Sequence, residues 1–389
     1  MSAPLPGISK EVLQWAREKA GFSLAEVATA LNKEVGVVEA WERGVAAPTY
    51  AQLEELAYKL YKRPLAAFFL PKPPEETPLR KEFRTLPQTE FKKLAPDTML
   101  AVREMQARQI YLHELLDGKT HSDRPIFRNL LPTPDIALKS LADDVRHHLG
   151  IPLSQQFRWS SSEQALENWR IAIERAGVIS FKRPFKQKDI SGLCLLDDVF
   201  PIICLNNSSS INRQIFTLLH ELCHVLLHTS GICKVDDTFI RGLRGNYKKI
   251  EVLCNQFAAA FLVPEDDFLD RVRNKTITDS VLSKLANIYS VSRSVVIRRL
   301  YDLKLVTKQF FDEKEAEYVA DYMRRPSKSS GGNYYLTQVT YLGKTYLGMV
   351  LQAYHRNQLN RQQLADYLGV RARNLDGLEQ AFLNRPAFA

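Results

Sequence analysis

The sequence HELCH at His220–His224 constrains the fold of this chain more than any other feature. It lies inside an apolar stretch with helical spacing, Ile215–Leu227. Two histidines four residues apart on a helix lie about 40° apart around its axis and one turn along it, so both imidazoles can reach one metal ion. Glu221 can instead face a water at the open position of the ion. Such a site is typical of catalytic zinc, with three protein ligands and one water. The alternative is a helix with histidines at its surface.

Glu251 is the best candidate for the third ligand. It lies in an apolar helical segment, Ile250–Pro264, that begins with an acidic residue and ends at proline. Such a helix can pack against the HELCH helix and place a carboxylate beside the histidines. The alternative is a glutamate at a helix N-terminus that interacts with the helix dipole. Asn255 lies one turn after Glu251 and is a candidate for a hydrogen-bonding partner that orients it. Arg213, two turns before His220 on a similar face, is a weaker candidate, and the alternative is a structural role.

The segment Ile211–His228, followed 27 residues after His224 by Glu251 in ExxCNxFAAxFLxP, closely resembles the ImmA/IrrE family of metallo-endopeptidases. In that family the histidines of HExxH and the glutamate of an ExxxN motif bind zinc, and the HExxH glutamate is the catalytic base. The resemblance implies that His220, His224 and Glu251 bind Zn²⁺, which Mn²⁺ can replace in vitro, and that Glu221 is the base. It also implies a zincin-like metallopeptidase domain.

The N-terminal residues Ile8–Leu70 form a series of short helical patterns. Ser23 and Glu26 make a capping-box pair, while Gly44 and Pro48 supply a helix stop and a restart. The segment resembles the XRE family of Cro/repressor-like helix-turn-helix modules, notably in AxxL, WERG and the stretch after Pro48. The resemblance implies an all-α module in which the second motif helix can enter the major groove of DNA.

The residues offered by that second motif helix are poorly suited to reading bases. The candidate nucleic-acid contacts are Val35, Val37, Glu39 and Arg43. Valine gives apolar contact to a thymine methyl, and glutamate accepts a hydrogen bond from cytosine. Residues 1–75 carry nine Lys and Arg against nine Glu, a net charge of zero, so their affinity for phosphate should be low. The module therefore binds either DNA or a protein, which would be another repressor or a second copy of itself.

The net charge of +9 is concentrated elsewhere, in Arg271–Lys308, where nine basic residues face two acidic ones. This segment again has a helix, turn, helix rhythm. Arg293, Arg298 and Arg299 are its candidate phosphate contacts. The alternative is a structural helical subdomain with a solvated basic face.

Periodicity predicts a mainly α fold with a small antiparallel sheet (α+β). Helical spacing covers Phe91–Leu116, Pro134–Leu149 and Ser162–Ala176. The period then changes, and short apolar runs predict strands at Val178–Phe181, Gly192–Leu196 and Phe200–Leu205. The last of these strands is the expected edge for an extended peptide substrate.

Five segments follow from these patterns. They are a helix-turn-helix module (1–70), a Pro-rich linker (71–95), the metallopeptidase domain (96–275), a winged or helix-turn-helix-like basic subdomain (276–325) and a C-terminal helical region (326–389).

The composition favours a cytoplasmic protein. No apolar run approaches the roughly 20 residues of a membrane span, no signal peptide is visible, and five cysteines without a CxxC pair argue against a disulfide framework. The resemblance to the ImmA/IrrE family implies endopeptidase cleavage of a protein, a neighbouring helix-turn-helix repressor, in a stress, phage or mobile-element circuit. The alternatives are a DNA-binding regulator or antitoxin-like partner whose peptidase fold senses or binds, and an interaction scaffold. A homodimer is compatible with each of these.

Overall fold

The computed structural model describes residues 5–61, 63, 65–73, 94–132, 136–185, 187, 189–229, 231–234, 245–324 and 332–384. Within these ranges, none of the helices combines the length and the apolar character needed to cross a membrane. The chain forms two compact units, one ending at Glu104 and the other beginning at Met105, each with its own hydrophobic core. Most of the predicted linker, 71–95, lies outside the described residues.

The first unit is built from short helices: α1 (Lys10–Ala20), α2 (Leu24–Ala30), α3 (Val35–Arg43) and α4 (Tyr50–Glu54), which continues as a π-helical segment (Glu55–Tyr61) before a 3₁₀ turn (Leu65–Phe69). The predicted capping box is confirmed, because the Ser23 hydroxyl accepts from the Glu26 N–H while the Glu26 carboxylate accepts from the Ser23 N–H. Gly44 ends α3 in the left-handed region, at φ +73°. Helices are therefore delimited here by local capping signals.

Helix α5 (Pro96–Leu115) contains the boundary between the two units. The helices that follow it belong to the second unit. They are α6 (Ile126–Asn129), α7 (Leu138–Leu149), α8 (Leu153–Gln156), α9 (Ser162–Arg175), α10 (Ile211–Leu226), α11 (Gly245–Leu262), α12 (Glu265–Val272), α13 (Asp279–Tyr289), α14 (Arg293–Asp302), α15 (Lys308–Arg324), α16 (Tyr334–Leu342), α17 (Lys344–His355), α18 (Arg361–Leu368) and α19 (Leu375–Leu383), with a 3₁₀ turn at Ala372–Asn374. The prediction of a mainly α fold with one small sheet is confirmed.

The sheet has the strands β1 (Ile179–Arg183), β2 (Ile190–Leu195), β3 (Ile202–Asn206) and β4 (Gly231–Lys234), in the order β1-β3-β2-β4. The prediction that it is antiparallel is wrong, because β1 and β3 pair in parallel while β2 pairs antiparallel with both β3 and β4. The prediction that Phe200–Leu205 forms an edge is also wrong, since β3 lies between β1 and β2. Among the described strands the edges are β1 and β4.

Helix α10 packs across this sheet and carries the candidate metal ligands. The contact with β2 is close: a Cβ added to Gly192 would lie 2.5 Å from Cγ2 of Thr217 and 3.0 Å from the carbonyl oxygen of Cys204. The glycine therefore sets the distance between helix and sheet. From Gln214 to Leu226 every residue of α10 is buried, so this helix forms the centre of the second core.

The C-terminal helices are joined to the rest of the second unit through buried polar groups. The Arg170 guanidinium on α9 donates to the carbonyl of Ser180 on β1 and to that of Thr340 on α16, both at 2.9 Å. The Thr345 hydroxyl on α17 donates to the Glu174 carboxylate at 2.6 Å. Both charged side chains are about 2% exposed, so these bonds replace water for groups that would be costly to bury alone.

Candidate metal centre

Helix α10 places the two histidines of HELCH on one face. Ser210 caps its N-terminus, accepting from the Arg213 N–H, and the helix then runs for 16 residues. The four-residue spacing brings Nε2 of His220 to 3.1 Å from Nε2 of His224. The exposed fractions of the two residues are only 1% and 2%. The alternative in which these histidines lie at the protein surface is therefore wrong.

The neighbouring helix α11 supplies Glu251. One of its carboxylate oxygens lies 3.4 Å from Nε2 of His220, and the other lies 3.3 Å from Nε2 of His224. Helix α11 begins at Gly245, five residues before the predicted start, so Glu251 lies almost two turns inside the helix. A role at the helix N-terminus, the alternative for this residue, is therefore not supported.

Both imidazoles are held through the nitrogen that faces away from Glu251. Nδ1 of His220 lies 2.9 Å from Oδ1 of Asn255, and Nδ1 of His224 lies 3.0 Å from Oγ1 of Thr229. Since an amide oxygen accepts, the proton of His220 is on Nδ1 and its Nε2 carries a lone pair. The spacing of the sequence pointed to Asn255, although as a partner of Glu251. Thr229 was missed, because its position depends on how the chain turns after α10.

The distances between the three ligand atoms match those expected around a bound metal ion. A tetrahedral zinc site with bonds of about 2.0–2.1 Å has ligand atoms about 3.3–3.4 Å apart, and the observed separations are 3.1, 3.3 and 3.4 Å. Without a cation, two imidazole lone pairs would face each other in a buried space. Within the described residues, His220, His224 and Glu251 form the one group of this kind, and they constitute a possible metal-binding triad for a divalent ion.

Glu221 lies next to the triad and is completely buried. Neither of its carboxylate oxygens accepts a hydrogen bond of normal geometry from the described residues. Burial raises the pKa of Glu221, and this effect is opposed by the charges that His224 and His220 carry when they are protonated. A buried carboxylate with unused acceptor positions is suited to exchanging a proton with a water or substrate.

Glu251 behaves in the opposite way although it is nearly as buried. Burial by itself raises its pKa, but His224 and His220, when protonated in the absence of a metal ion, outweigh burial through their charges and hydrogen bonds and hold the pKa well below its usual range. The carboxylate is therefore ionised, as a metal ligand must be. The two glutamates thus have distinct environments, because the balance of burial and charge raises the pKa of Glu221 and lowers that of Glu251.

Two cysteines flank the ligands in the sequence, Cys223 on α10 and Cys254 on α11. Both are fully buried in the hydrophobic core of the second unit, as small apolar side chains often are. Burial raises the pKa of Cys254 well above its ordinary value, an effect that the adjacent Cys223 increases. Neither sulfur belongs to the group of potential metal ligands found among the described residues, so the arrangement favours nitrogen and oxygen donors.

The remaining predicted site residues lie away from the triad. Arg213 comes seven residues before His220, about 10 Å along the helix. Its guanidinium contacts the Ser191 hydroxyl at 3.4 Å and lies 5.5 Å from the Phe216 ring. These contacts link the beginning of α10 to β2.

The candidate nucleic-acid contacts divide between the two units. On α3, Val35 and Val37 are exposed, and Arg43 pairs with Glu39 at 3.7 Å on the surface. In the second unit, Arg293 lies over the Tyr318 ring and Arg298 over the Phe311 ring.

Arg299 is only 4% exposed, and its guanidinium donates to the Val263 carbonyl at 2.9 Å and to Glu265 at 3.2 Å. Its guanidinium is therefore not available to a phosphate. The prediction that Arg299 contacts phosphate is not supported.

Comparison with known proteins agrees with this site. Residues 173–301 match the Peptidase_M78 family, described as the IrrE N-terminal-like domain. The radiation response metalloprotease IrrE of Deinococcus radiodurans is 31% identical over 105 residues, which are 25% of this chain and 30% of that protein. The alignable part of the chain thus spans about a third of the length of that relative. The matched segment, 173–301, contains the triad and Glu221, and the similarity suggests a metallopeptidase-like regulatory role.

Proposed function

We propose that this chain is a zinc-dependent endopeptidase in which His220, His224 and Glu251 hold the ion and Glu221 is the general base. The observation that carries the proposal is the convergence of two imidazole nitrogens and a carboxylate within 3.4 Å, beside a second, fully buried glutamate. Histidine and carboxylate ligands that leave one position open are typical of catalytic zinc sites.

The residues divide the chemistry between them. When bound, zinc supplies a Lewis acid that polarises a carbonyl and lowers the pKa of water to about 7. Asn255 and Thr229 orient the two imidazoles, so that the lone pairs of Nε2 point toward Glu251. The Glu221 carboxylate takes the proton of the attacking water and delivers it to the nitrogen of the leaving amine.

The sheet offers a place for an extended substrate. Strand β4 pairs with β2 so that Gly231 lies opposite Cys194, whose thiol contacts the carbonyl of Thr229 just after the ligand helix α10. As an edge strand, β4 presents backbone donors and acceptors that a peptide can pair with. We therefore propose that β4 takes the role that the sequence assigned to Phe200–Leu205.

The proposed substrate is a helix-turn-helix repressor encoded nearby, in a stress, phage or mobile-element circuit, and the proposed site of action is the cytoplasm. The first unit resembles such repressors in sequence and exposes Val35 and Val37 on α3. Apolar side chains on an exposed helix face favour contact with a protein over contact with DNA phosphates. We propose that this unit engages the repressor or a second copy of the chain.

The proposal is tested with the purified full chain, Zn²⁺ and the neighbouring repressor, comparing wild type with Glu221→Gln. Loss of the base should slow cleavage by about 100- to 10,000-fold. Zinc affinity should be unchanged, because Glu221 is not a ligand. Equal cleavage by both proteins, or no cleavage by a wild type that binds zinc, would contradict the peptidase assignment.

A further inference from the structure

The turn that follows helix α10 places the hydroxyl group of Thr229 against His224. Thr229 follows the last residue of the helix by three positions, and its Oγ1 lies 3.0 Å from Nδ1 of His224 and 3.2 Å from the carbonyl oxygen of the same histidine. The Thr229 N–H also donates to that carbonyl, at 2.9 Å. One residue therefore contacts both the backbone and the ring of His224.

The proton of the hydroxyl determines which way these bonds run. A carbonyl oxygen only accepts, so the Thr229 hydroxyl donates its single proton to the carbonyl of His224. Its oxygen can then only accept from the imidazole, which requires the proton of His224 to be on Nδ1. Nε2 is left with a lone pair, directed at Nε2 of His220 and at Glu251.

The backbone of the turn brings the hydroxyl into place. His228 has φ +52°, in the left-handed region that residues other than glycine seldom adopt. This conformation folds the chain back over the last turn of α10. The Cys194 thiol on β2 donates to the carbonyl of Thr229 at 3.7 Å and so connects the turn to the sheet. The imidazole of His228 is exposed, so this residue contributes its backbone conformation.

We infer that Thr229 is a positioning residue that fixes the tautomer and orientation of His224 for metal binding. This rests on the proposed function, because it presumes that His224 is a ligand. The two histidines are held by different elements, His220 through Asn255 on the partner helix and His224 through the turn that ends its own helix. Removing the Thr229 hydroxyl should therefore weaken metal binding while the packing of α10 against α11 is kept.

The test compares zinc affinity in the full-length wild type, Thr229→Val and Thr229→Ser by competition with a chromophoric chelator. Valine keeps the shape of threonine without the hydroxyl, and serine keeps the hydroxyl without the methyl. We expect Thr229→Val to bind zinc about 10- to 100-fold more weakly, the usual effect of losing a partner behind a ligand. Thr229→Ser should bind nearly as tightly as wild type.

A spectroscopic signal separates positioning from general stability. Imidazole ¹H–¹⁵N spectra of the metal-free proteins should show His224 protonated on Nδ1 in wild type and in Thr229→Ser, and a shift toward protonation on Nε2 in Thr229→Val. Undiminished zinc affinity in Thr229→Val, or equal losses in the serine and valine variants, would overturn the inference. Failure of the wild type to bind zinc would overturn the proposed function, and the inference with it.

Discussion

At the scale of single residues, the second unit buries four ionisable side chains of two adjacent helices. His220, Glu221, His224 and Glu251 have exposed fractions of 1%, 0%, 2% and 6%. Burying charged or strongly polar groups is costly unless partners compensate for lost water. Asn255 and Thr229 satisfy the outer nitrogens of the histidines, whereas a metal ion would satisfy the inner nitrogens and the Glu251 carboxylate.

Replacement of the carboxylate ligand tests this arrangement. Glu251→Gln should reduce zinc affinity by more than about 100-fold, which is the upper end of the effect of losing an outer partner. The reason is that a charged ligand becomes a neutral amide. Glu163→Gln is a matched control, since Glu163 is an exposed glutamate in the first turn of α9. Equilibrium dialysis against Zn²⁺ measures both variants. Equal zinc binding by the two would contradict the role of Glu251.

The residues of the site differ in how far the sequence could predict them. The two histidines and Glu221 follow from helical spacing alone, and Glu251 and Asn255 from a second helix with its own motif. Thr229 could not be found in this way, because its contact depends on a left-handed backbone at His228 that no residue type there requires.

At the scale of secondary-structure elements, the distance between α10 and the sheet depends on Gly192. We expect Gly192→Ala to lower the free energy of unfolding by about 1–3 kcal/mol, since the new Cβ would overlap Thr217 and the backbone of Cys204. Gly36→Ala is the control: its Cβ meets nothing within 4 Å, and alanine should stabilise helix α3 by about 0.5–1 kcal/mol. Chemical denaturation compares the two. An unchanged stability of Gly192→Ala would refute close packing at this point.

A second element-level contact joins α5 to the turn between β2 and β3. The Asp197 carboxylate accepts from His113, Val199 and Phe200 at 2.7–3.1 Å. Burial acts to raise the pKa of Asp197, but the hydrogen bonds from His113, Phe200 and Val199 outweigh it and leave the pKa lowered. A carboxylate with a lowered pKa stabilises the fold above its ordinary value of 3.8, and this contribution disappears as the pH falls through the lower folded value.

Asp197→Ala should accordingly destabilise the protein by about 1–3 kcal/mol at pH 7, and the difference from wild type should shrink below pH 3.8. Urea denaturation at both pH values measures this. Asp198→Ala, a change at the exposed neighbouring aspartate, should leave stability nearly unchanged. A difference for Asp197→Ala that is independent of pH would show that the carboxylate charge has no part in the contact.

The elements themselves were more predictable than their pairing. The runs at Val178–Phe181, Gly192–Leu196 and Phe200–Leu205 each became a strand, with boundaries shifted by one or two residues. All three are buried nearly throughout, so no alternation of apolar and polar residues distinguishes an edge from a central strand. The parallel pairing of β1 with β3 depends on the strand order, in which β2 follows β1 in the chain but pairs on the other side of β3. The local sequence pattern of each strand does not determine this order.

At the scale of the whole molecule, the basic charge of Arg271–Lys308 is neutralised in part by ion pairs. Several of its basic residues pair with acidic residues outside that range: Arg271 with Asp267, Arg273 with Asp270, Arg299 with Glu265 and Lys308 with Asp312. Counting charges within a segment could not reveal these partners. The structure therefore favours the alternative of a structural helical region over a phosphate-binding one.

Two arginine substitutions distinguish these alternatives. Arg299→Ala should lower the free energy of unfolding by about 1–3 kcal/mol, because the Val263 carbonyl and Glu265 lose their donor. Arg273→Ala, at a residue whose side chain is 72% exposed, should not change stability. Neither should alter binding of the chain to duplex DNA at physiological salt. A loss of DNA affinity in Arg299→Ala at unchanged stability would restore the phosphate-binding role.

The central claim is that one metal ion is held by His220, His224 and Glu251, and X-ray absorption at the zinc K-edge of the purified, zinc-loaded chain tests it most directly. The predicted result is one zinc per chain with only nitrogen and oxygen neighbours at about 2.0–2.1 Å, and with the outer-shell scattering of two imidazoles. A sulfur neighbour at about 2.3 Å, or the same spectrum from a chain carrying His220→Ala and His224→Ala, would contradict it.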